Sequence, residues 1–240
     1  MKAIKVIKDL FFPSGIKCIF CDGEIGKENR YCVCGNCSPD FNTQFCFLCG
    51  KAIANSSLYC DDCKEGRRYF FEQARAPFVF GGSVKSIVHR LKYGNGRFLA
   101  KYMAEYMADV YFESGWNADM VTFVPMSKKR RKSRGYNQAE LIAEEIAAII
   151  EKPCESLLKR EKETANLAKL SRIERAETIK NSIAPILSGV SAAGKNVLLI
   201  DDVMTTSATA NECARALKSL NSDKVFVLTF ATARVKPLLY

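Results

Sequence analysis

Histidine is all but missing. His89 stands alone among 240 residues, which excludes a metal site built from several imidazoles. It also argues against a Ser-His-Asp hydrolase, whose general base would have to be that one ring. Long apolar runs are missing as well, and none approaches the ~20 residues that a bilayer-spanning helix needs. Near the N-terminus Lys5, Lys8 and Asp9 interrupt the apolar stretch of a would-be secretory leader. No leader is therefore expected, and the chain reads as cytoplasmic. Acidic residues are in deficit: 26 stand against 36 Lys and Arg, for a net charge of +10. Such a surface favours polyanions, whether nucleic acid, phosphorylated metabolites or acidic lipid. Disorder is excluded by composition, with 48% apolar and 26% charged residues. The length suits one or two domains with a real core, because a chain of about 150 residues already buries about two-thirds of its unfolded surface.

Cysteine is abundant. Of 11 cysteines nine lie between residues 18 and 63, while Cys154 and Cys213 are isolated. The nine contain four Cys-x-x-Cys pairs, Cys18/Cys21, Cys34/Cys37, Cys46/Cys49 and Cys60/Cys63, with Cys32 left over. Each pair makes a knuckle that turns two thiolates toward one metal, and two knuckles close a tetrahedral four-cysteine zinc site. Zinc supplies the folding free energy that a segment of about 50 residues cannot gather from its own core. A disulfide framework is the rival, and the regular x-x spacing without a leader argues against it. Four successive pairs also exceed what a redox dithiol requires. Sequential pairing places Cys18, Cys21, Cys34 and Cys37 on one ion and Cys46, Cys49, Cys60 and Cys63 on a second. A crossed arrangement stays open, as does Cys32 in place of Cys34. No open coordination position is implied, so the zinc is structural.

Composition changes across residues 64–75. We expect a double zinc-ribbon domain over residues 1–67 and a second domain over residues 76–240. In the second, Val84, Ile87, Val88 and Leu91 recur at helical spacing, as do Leu99, Met103, Tyr106 and Val110. Further helices are expected over 136–150 and 209–219. Buried-type strands are expected over 120–124, ended by Pro125, over 197–200, ended by Asp201 and Asp202, and over 224–230. Weaker strand candidates cover 156–159 and 179–186. Strands alternating with helices imply an α/β fold with a largely parallel sheet flanked by helices. Ligands of such sheets bind beyond the carboxyl ends of the strands. The segments after Val124, Lys159 and Ile200 are therefore the places to search.

After Ile200 come Asp201, Asp202 and a loop holding Thr205, Thr206, Ser207 and Thr209, then a helix. A helix N-terminus offers unpaired N–H groups and a positive dipole end, which suits a phosphate. Two carboxylates beside it suit the vicinal hydroxyls of a phosphorylated sugar. An ordinary N-cap explains one of these residues but not the whole series. After Pro125, six cations fall among residues 128–134. Like charges at that density repel unless an anion neutralises them, and pyrophosphate or a nucleic-acid backbone would do so. A solvated basic turn is the plainer alternative. Residues 160–175 are long, polar and charged, which fits either a lid or an exposed amphipathic helix. Cys213 shares an apolar face with Leu217 and reads as core. Cys154 carries no sign of a special role, and His89 reads as a non-catalytic helix residue.

The acidic motif resembles the phosphoribosyl-pyrophosphate (PRPP) signature of type I phosphoribosyltransferases, a hydrophobic strand, two acids and Thr-Thr-Gly-x-Thr. Ser207 stands where that pattern has Gly; a left-handed backbone there would cost Ser on the order of 1 kcal/mol. More narrowly, Pro125, Arg130, Arg134, Gly135, Tyr136, Asn137, Gln138, Leu141 and Ala143, with Leu91, Lys92 and Tyr93, resemble the ComF family of competence-associated proteins. Arg160, Thr164, Leu170 and Arg175 match a further pattern of that family, with Leu167 in place of its Gln. Ser127 replaces a frequent His.

The resemblance implies a zinc ribbon ahead of a type I phosphoribosyltransferase-like domain that binds Mg-PRPP and transfers phosphoribosyl groups. It implies that Asp201 and Asp202 bind the ribose hydroxyls and that Thr205, Thr206, Ser207, Ala208 and Thr209 hold the 5-phosphate. It places pyrophosphate or anion contacts at Lys128, Lys129, Arg130, Arg160 and Lys162, and Mg²⁺ with the substrate. Gly135 would permit a tight turn and Asn137 would cap the next helix. Partners implied are single-stranded DNA and DNA-uptake proteins in natural transformation. Two alternatives are a catalytically silent single-stranded DNA adaptor and a nucleobase salvage transferase. The salvage reading is disfavoured by the zinc module and by the lack of a recognisable base-binding hood.

Overall fold

The computed structural model describes residues 17–25, 30–54, 57–94, 96–161, 178–187 and 190–235. Its centre is a parallel sheet. Strand β6 (Val197–Met204) lies between β7 (Val225–Thr232) and β3 (Met120–Phe123), and is parallel to both. Neighbours on both edges and helices on the faces explain why Val197, Leu198, Leu199 and Ile200 form an uninterrupted apolar run. All four are fully buried. On its other edge β7 pairs with β1 (Gln73–Arg75) and with β2 (Phe78–Val79). Gln73 faces Phe226 and Phe78 faces Ala231, so β1 and β2 form one edge in a single register, broken at Ala76 and Pro77. Proline cannot donate to the ladder, which accounts for the break.

The helices follow the spacing read from the sequence. Helix α1 (Asp61–Lys64) is a single turn in the second cysteine cluster. Helix α2 (Gly82–Tyr93) buries Val84, Ile87, Val88 and Leu91. Helix α3 (Leu99–Glu113) buries Leu99, Met103 and Tyr106 and packs on α5 (Gln138–Ile149). Asn137 caps α5 as expected, accepting a hydrogen bond from the Ala139 amide. Helix α6 (Ala208–Lys218) packs against β6 and β7 and buries Cys213 and Leu217.

Four features differ from the expectations. Strand β1 occupies residues placed in the passage between domains, and β2, at the start of the second domain, is not among the expected strands. Strand β6 does not end at Asp201 but continues through both acids to Met204. The basic segment is helix α4 (Lys128–Arg134) rather than a loop. Strands β4 (Leu158–Arg160) and β5 (Ile183–Pro185) exist, but pair with each other antiparallel, outside the main sheet.

The cysteine region lies along the β1/β2 edge. The Ala74 amide donates to Leu48 O, the Val79 amide to Asp40 O and the Asn42 amide to Pro77 O, at 2.8–2.9 Å. Asn42 Nδ2 bridges Gly50 O and Ala76 O. These contacts occupy backbone groups that an open sheet edge would leave unpaired. Cys18, Ile19 and Phe20 join the same apolar core as Phe78, Tyr106 and Phe230. The Phe20 and Phe78 rings meet edge to face at 5.6 Å. Among the described residues no helix is long and apolar enough to cross a membrane.

Candidate functional site

The opening above β6 is produced by unequal strand lengths. Strand β3 stops at Phe123, opposite Ile200, while β6 runs on beside β7 with Asp201 opposite Thr229. Beyond Ile200 the β3 side of β6 is unpaired by a strand, and the two acids stand at that gap. The Asp202 amide donates to Asp201 Oδ1 at 2.8 Å. Asp202 is buried, and Lys92 Nζ from the end of α2 lies 2.5 Å from its Oδ2. Burial, and then the adjacent Asp202 carboxylate, push Asp201 up to about 8. Near neutrality Asp201 therefore keeps its proton.

A cavity of about 170 Å³ covers the acids. Arg130, Arg134 and Arg160 line it together with Lys92, Pro125 and Thr209. The two arginines of α4 point there because residues four apart share one helix face. That helix carries six like charges yet forms, because both ends are capped. The Ser127 hydroxyl accepts from the Arg130 amide, and Gly135 closes the last turn at φ 85°. Arg131 pairs with Glu140 at 3.0 Å, which relieves some of the repulsion. Lys128 and Lys129 are exposed and do not line the cavity.

A second basin of about 580 Å³ shares Lys92, Arg130 and Arg134 and adds Tyr93, Ser133 and Tyr136. The Arg134 guanidinium lies 5.0 Å over Tyr93, and Arg97 lies 4.5 Å over Tyr136. The Tyr136 hydroxyl donates to Leu91 O, and Asn137 Nδ2 donates to Val124 O. These two bonds tie the start of α5 to the end of α2 and to the end of β3, and so fix where Lys92 emerges.

At the start of α6, Thr205 is exposed and Thr206 half-buried, Ala208 opens the helix and Thr209 faces the cavity. Ser207 is buried at φ 62° and ψ 2°, a left-handed conformation. Its Oγ has no hydrogen-bond partner among the described residues. Arg160 reaches the cavity from the end of β4. Lys162, and Thr164, Leu167, Leu170 and Arg175 of the expected lid, lie outside the described residues. In the sequence Lys92 stands out only as part of a motif. A cation at a helix end carries no signal of the carboxylate it meets. His89 is exposed on α2, its ring 4.8 Å from that of Tyr93.

The eight paired cysteines form two clusters, Cys18, Cys21, Cys34 and Cys37, and Cys46, Cys49, Cys60 and Cys63, with ligand atoms within 4.8 Å of one another. Four thiolates about 2.3 Å from a tetrahedral zinc ion would lie about 3.8 Å apart. The Cys18–Cys37 and Cys21–Cys34 sulfurs are 3.7 Å apart and the Cys49–Cys60 sulfurs 3.6 Å. Hydrogen bonds from Cys49 and Cys60 hold Cys46 far below the usual thiol range. Cys49 is pushed far above it by the Cys46 and Cys60 sulfurs and then by burial. One thiolate is thus stabilised at its neighbours' expense, a conflict that a dication relieves. Both clusters could hold structural zinc. Cys32 lies outside them, and its Sγ donates to Lys17 O at 3.2 Å.

No family model matches the chain. It is 24% identical over 227 residues to competence protein F of Haemophilus influenzae, covering 90% of this chain and 97% of that one. It is 28% identical over 215 residues to competence protein ComFC of Streptococcus pneumoniae, covering 87% and 90%. Among solved structures it resembles an allosteric regulatory enzyme of purine biosynthesis, with TM-score 0.38 and 20% identity, over 59% of this chain and 29% of that one.

Proposed function

We propose that this chain, similar to ComF proteins over most of its length, binds Mg-PRPP in the Asp201/Asp202 cavity and transfers its phosphoribosyl group, in the service of DNA uptake. The observation that carries the reading is one juxtaposition. Two acids, three arginines and the N-terminal turn of α6 meet around a single small cavity. Each part answers one part of the ligand. Asp201 and Asp202 accept from the ribose 2- and 3-hydroxyls. The α6 amides, with Thr205, Thr206, Ser207, Ala208 and Thr209, take the 5-phosphate. Arg130, Arg134 and Arg160 face the pyrophosphate.

In the reaction the bond from C1 to the pyrophosphate oxygen breaks and its electron pair leaves with pyrophosphate. The acceptor's lone pair forms the new bond to C1. Positive charge develops on the sugar and negative charge on the leaving group. The chain's task is to fix the reactants and to stabilise that separation, with the acids on the sugar side and the guanidiniums on the leaving-group side. Bound Mg²⁺ would add charge neutralisation, with Asp202 and, once its proton is lost, Asp201 as the oxygen ligands at hand.

The names of the relatives, competence and DNA utilization proteins, support a place in DNA uptake. A second reading, a silent adaptor for single-stranded DNA, draws on the exposed cations Lys128, Lys129 and Lys132 on α4. Calorimetric titration of the zinc-loaded protein with PRPP, with and without Mg²⁺, separates the two. Saturable Mg²⁺-dependent binding that Asp202→Asn abolishes, at unchanged zinc content, supports the transferase reading. No PRPP binding, with DNA affinity that falls steeply as salt rises, supports the adaptor.

A further inference from the structure

Lys92 stands at the boundary of two cavities. It lines the small one over the acids and the larger basin beside it. Its ammonium is engaged with Asp202, the carboxylate assigned above to a ribose hydroxyl. Oδ2 is the carboxylate oxygen that Lys92 occupies. A sugar hydroxyl or a metal ion that takes this oxygen competes with Lys92 for it. The displaced ammonium sits on a flexible four-carbon stem, and its side chain is about one-quarter exposed, so it has room to turn. Away from the acids it can turn toward the basin that Arg130 and Arg134 also line.

We propose that Lys92 is a ligand-binding residue that exchanges partners, from Asp202 in the free protein to the pyrophosphate of the bound substrate. This assignment rests on the sugar-phosphate reading above and deepens it. In the free protein Lys92 supplies a counter-charge beside the buried Asp202. When the sugar arrives, that charge passes to the part of the ligand most in need of it. The exchange ties the two halves of recognition together: pyrophosphate is gripped by Lys92 only after the diol has released it. A ligand with a diol and a 5-phosphate but no pyrophosphate would displace Lys92 without giving it a new partner. Selectivity for the pyrophosphorylated sugar over the plain sugar phosphate follows from this asymmetry.

The test titrates the unaltered, zinc-loaded protein, Lys92→Met and Lys92→Arg with PRPP and with ribose 5-phosphate, both in Mg²⁺. Thermal melting of each variant runs alongside. Lys92→Met should lose about ten- to hundredfold in PRPP affinity, the change that one charge-assisted hydrogen bond supports. Its affinity for ribose 5-phosphate should hold or rise, because Asp202 no longer has to be freed. Lys92→Arg should recover most of the PRPP affinity. Undiminished PRPP binding by Lys92→Met would overturn the assignment alone. So would an equal loss of both ligands with a lowered melting temperature, which would make the ion pair purely structural. Absence of PRPP binding by the unaltered protein would overturn the sugar-phosphate reading, and the Lys92 assignment with it.

Discussion

Replacing Ser207 by glycine should stabilise the unliganded protein. Ser207 holds φ 62° and ψ 2° immediately before α6. A left-handed backbone costs a non-glycine residue about 1–2 kcal/mol. Its hydroxyl is buried with no hydrogen-bond partner among the described residues, and a buried polar group left unsatisfied costs about 1–3 kcal/mol. Glycine removes both terms but loses about 0.5–1 kcal/mol through the greater freedom of the unfolded chain. The net gain is about 1–4.5 kcal/mol. A 240-residue chain unfolds with an entropy of about 0.5 kcal/mol/K, so Tm should rise by about 2–9 °C. The assay is a calorimetric melt of the zinc-loaded protein without ligand, at matched protein concentration. An unchanged or lower Tm would refute the reasoning, because it would mean that neither the strain nor the orphaned hydroxyl is felt. A second melt with saturating PRPP adds a check. If the bound phosphate satisfies the hydroxyl, the advantage of glycine should shrink in the complex.

Gly50→Ala should do the opposite. Gly50 follows the third cysteine knuckle at φ 68°, and a Cβ there would stand 2.3 Å from Ala74 O on β1. Backbone would have to move, so a loss of at least about 3 kcal/mol in the melt is expected, with weaker zinc retention against a chelator. The raised Asp201 predicts a pH dependence. Its folded value, about 8, lies above the ordinary 3.8, so between those values the folded chain binds the extra proton. Stability of the unliganded protein should fall as pH rises through that window, and Asp201→Asn should flatten the slope in urea titrations.

The sequence alone determined the local structure and the types of chemistry. The apolar spacing of Val84, Ile87, Val88 and Leu91 marked the buried face of α2, and the run from Val197 to Ile200 marked the central strand. The x-x spacing of the cysteines marked four pairs, which the folded chain sorts into two sets of four, and Asn137 marked the cap of α5. These signals are legible because helix period, strand period and knuckle geometry are set by residues a few positions apart. Tertiary structure decided what long-range pairing controls. Strands β1 and β2 are three and two residues long and are held by pairing with β7, far away in sequence, and by the cysteine region on their other side. The basic segment became a helix because Ser127 and Gly135 cap it, and that turned Arg130 and Arg134 rather than Lys128 and Lys129 to the cavity. The meeting of Lys92 with Asp202 had no local signature at all. Spacing along a chain states which residues share a face; which cation reaches which acid depends on how separate elements pack, and only the folded chain brings them together.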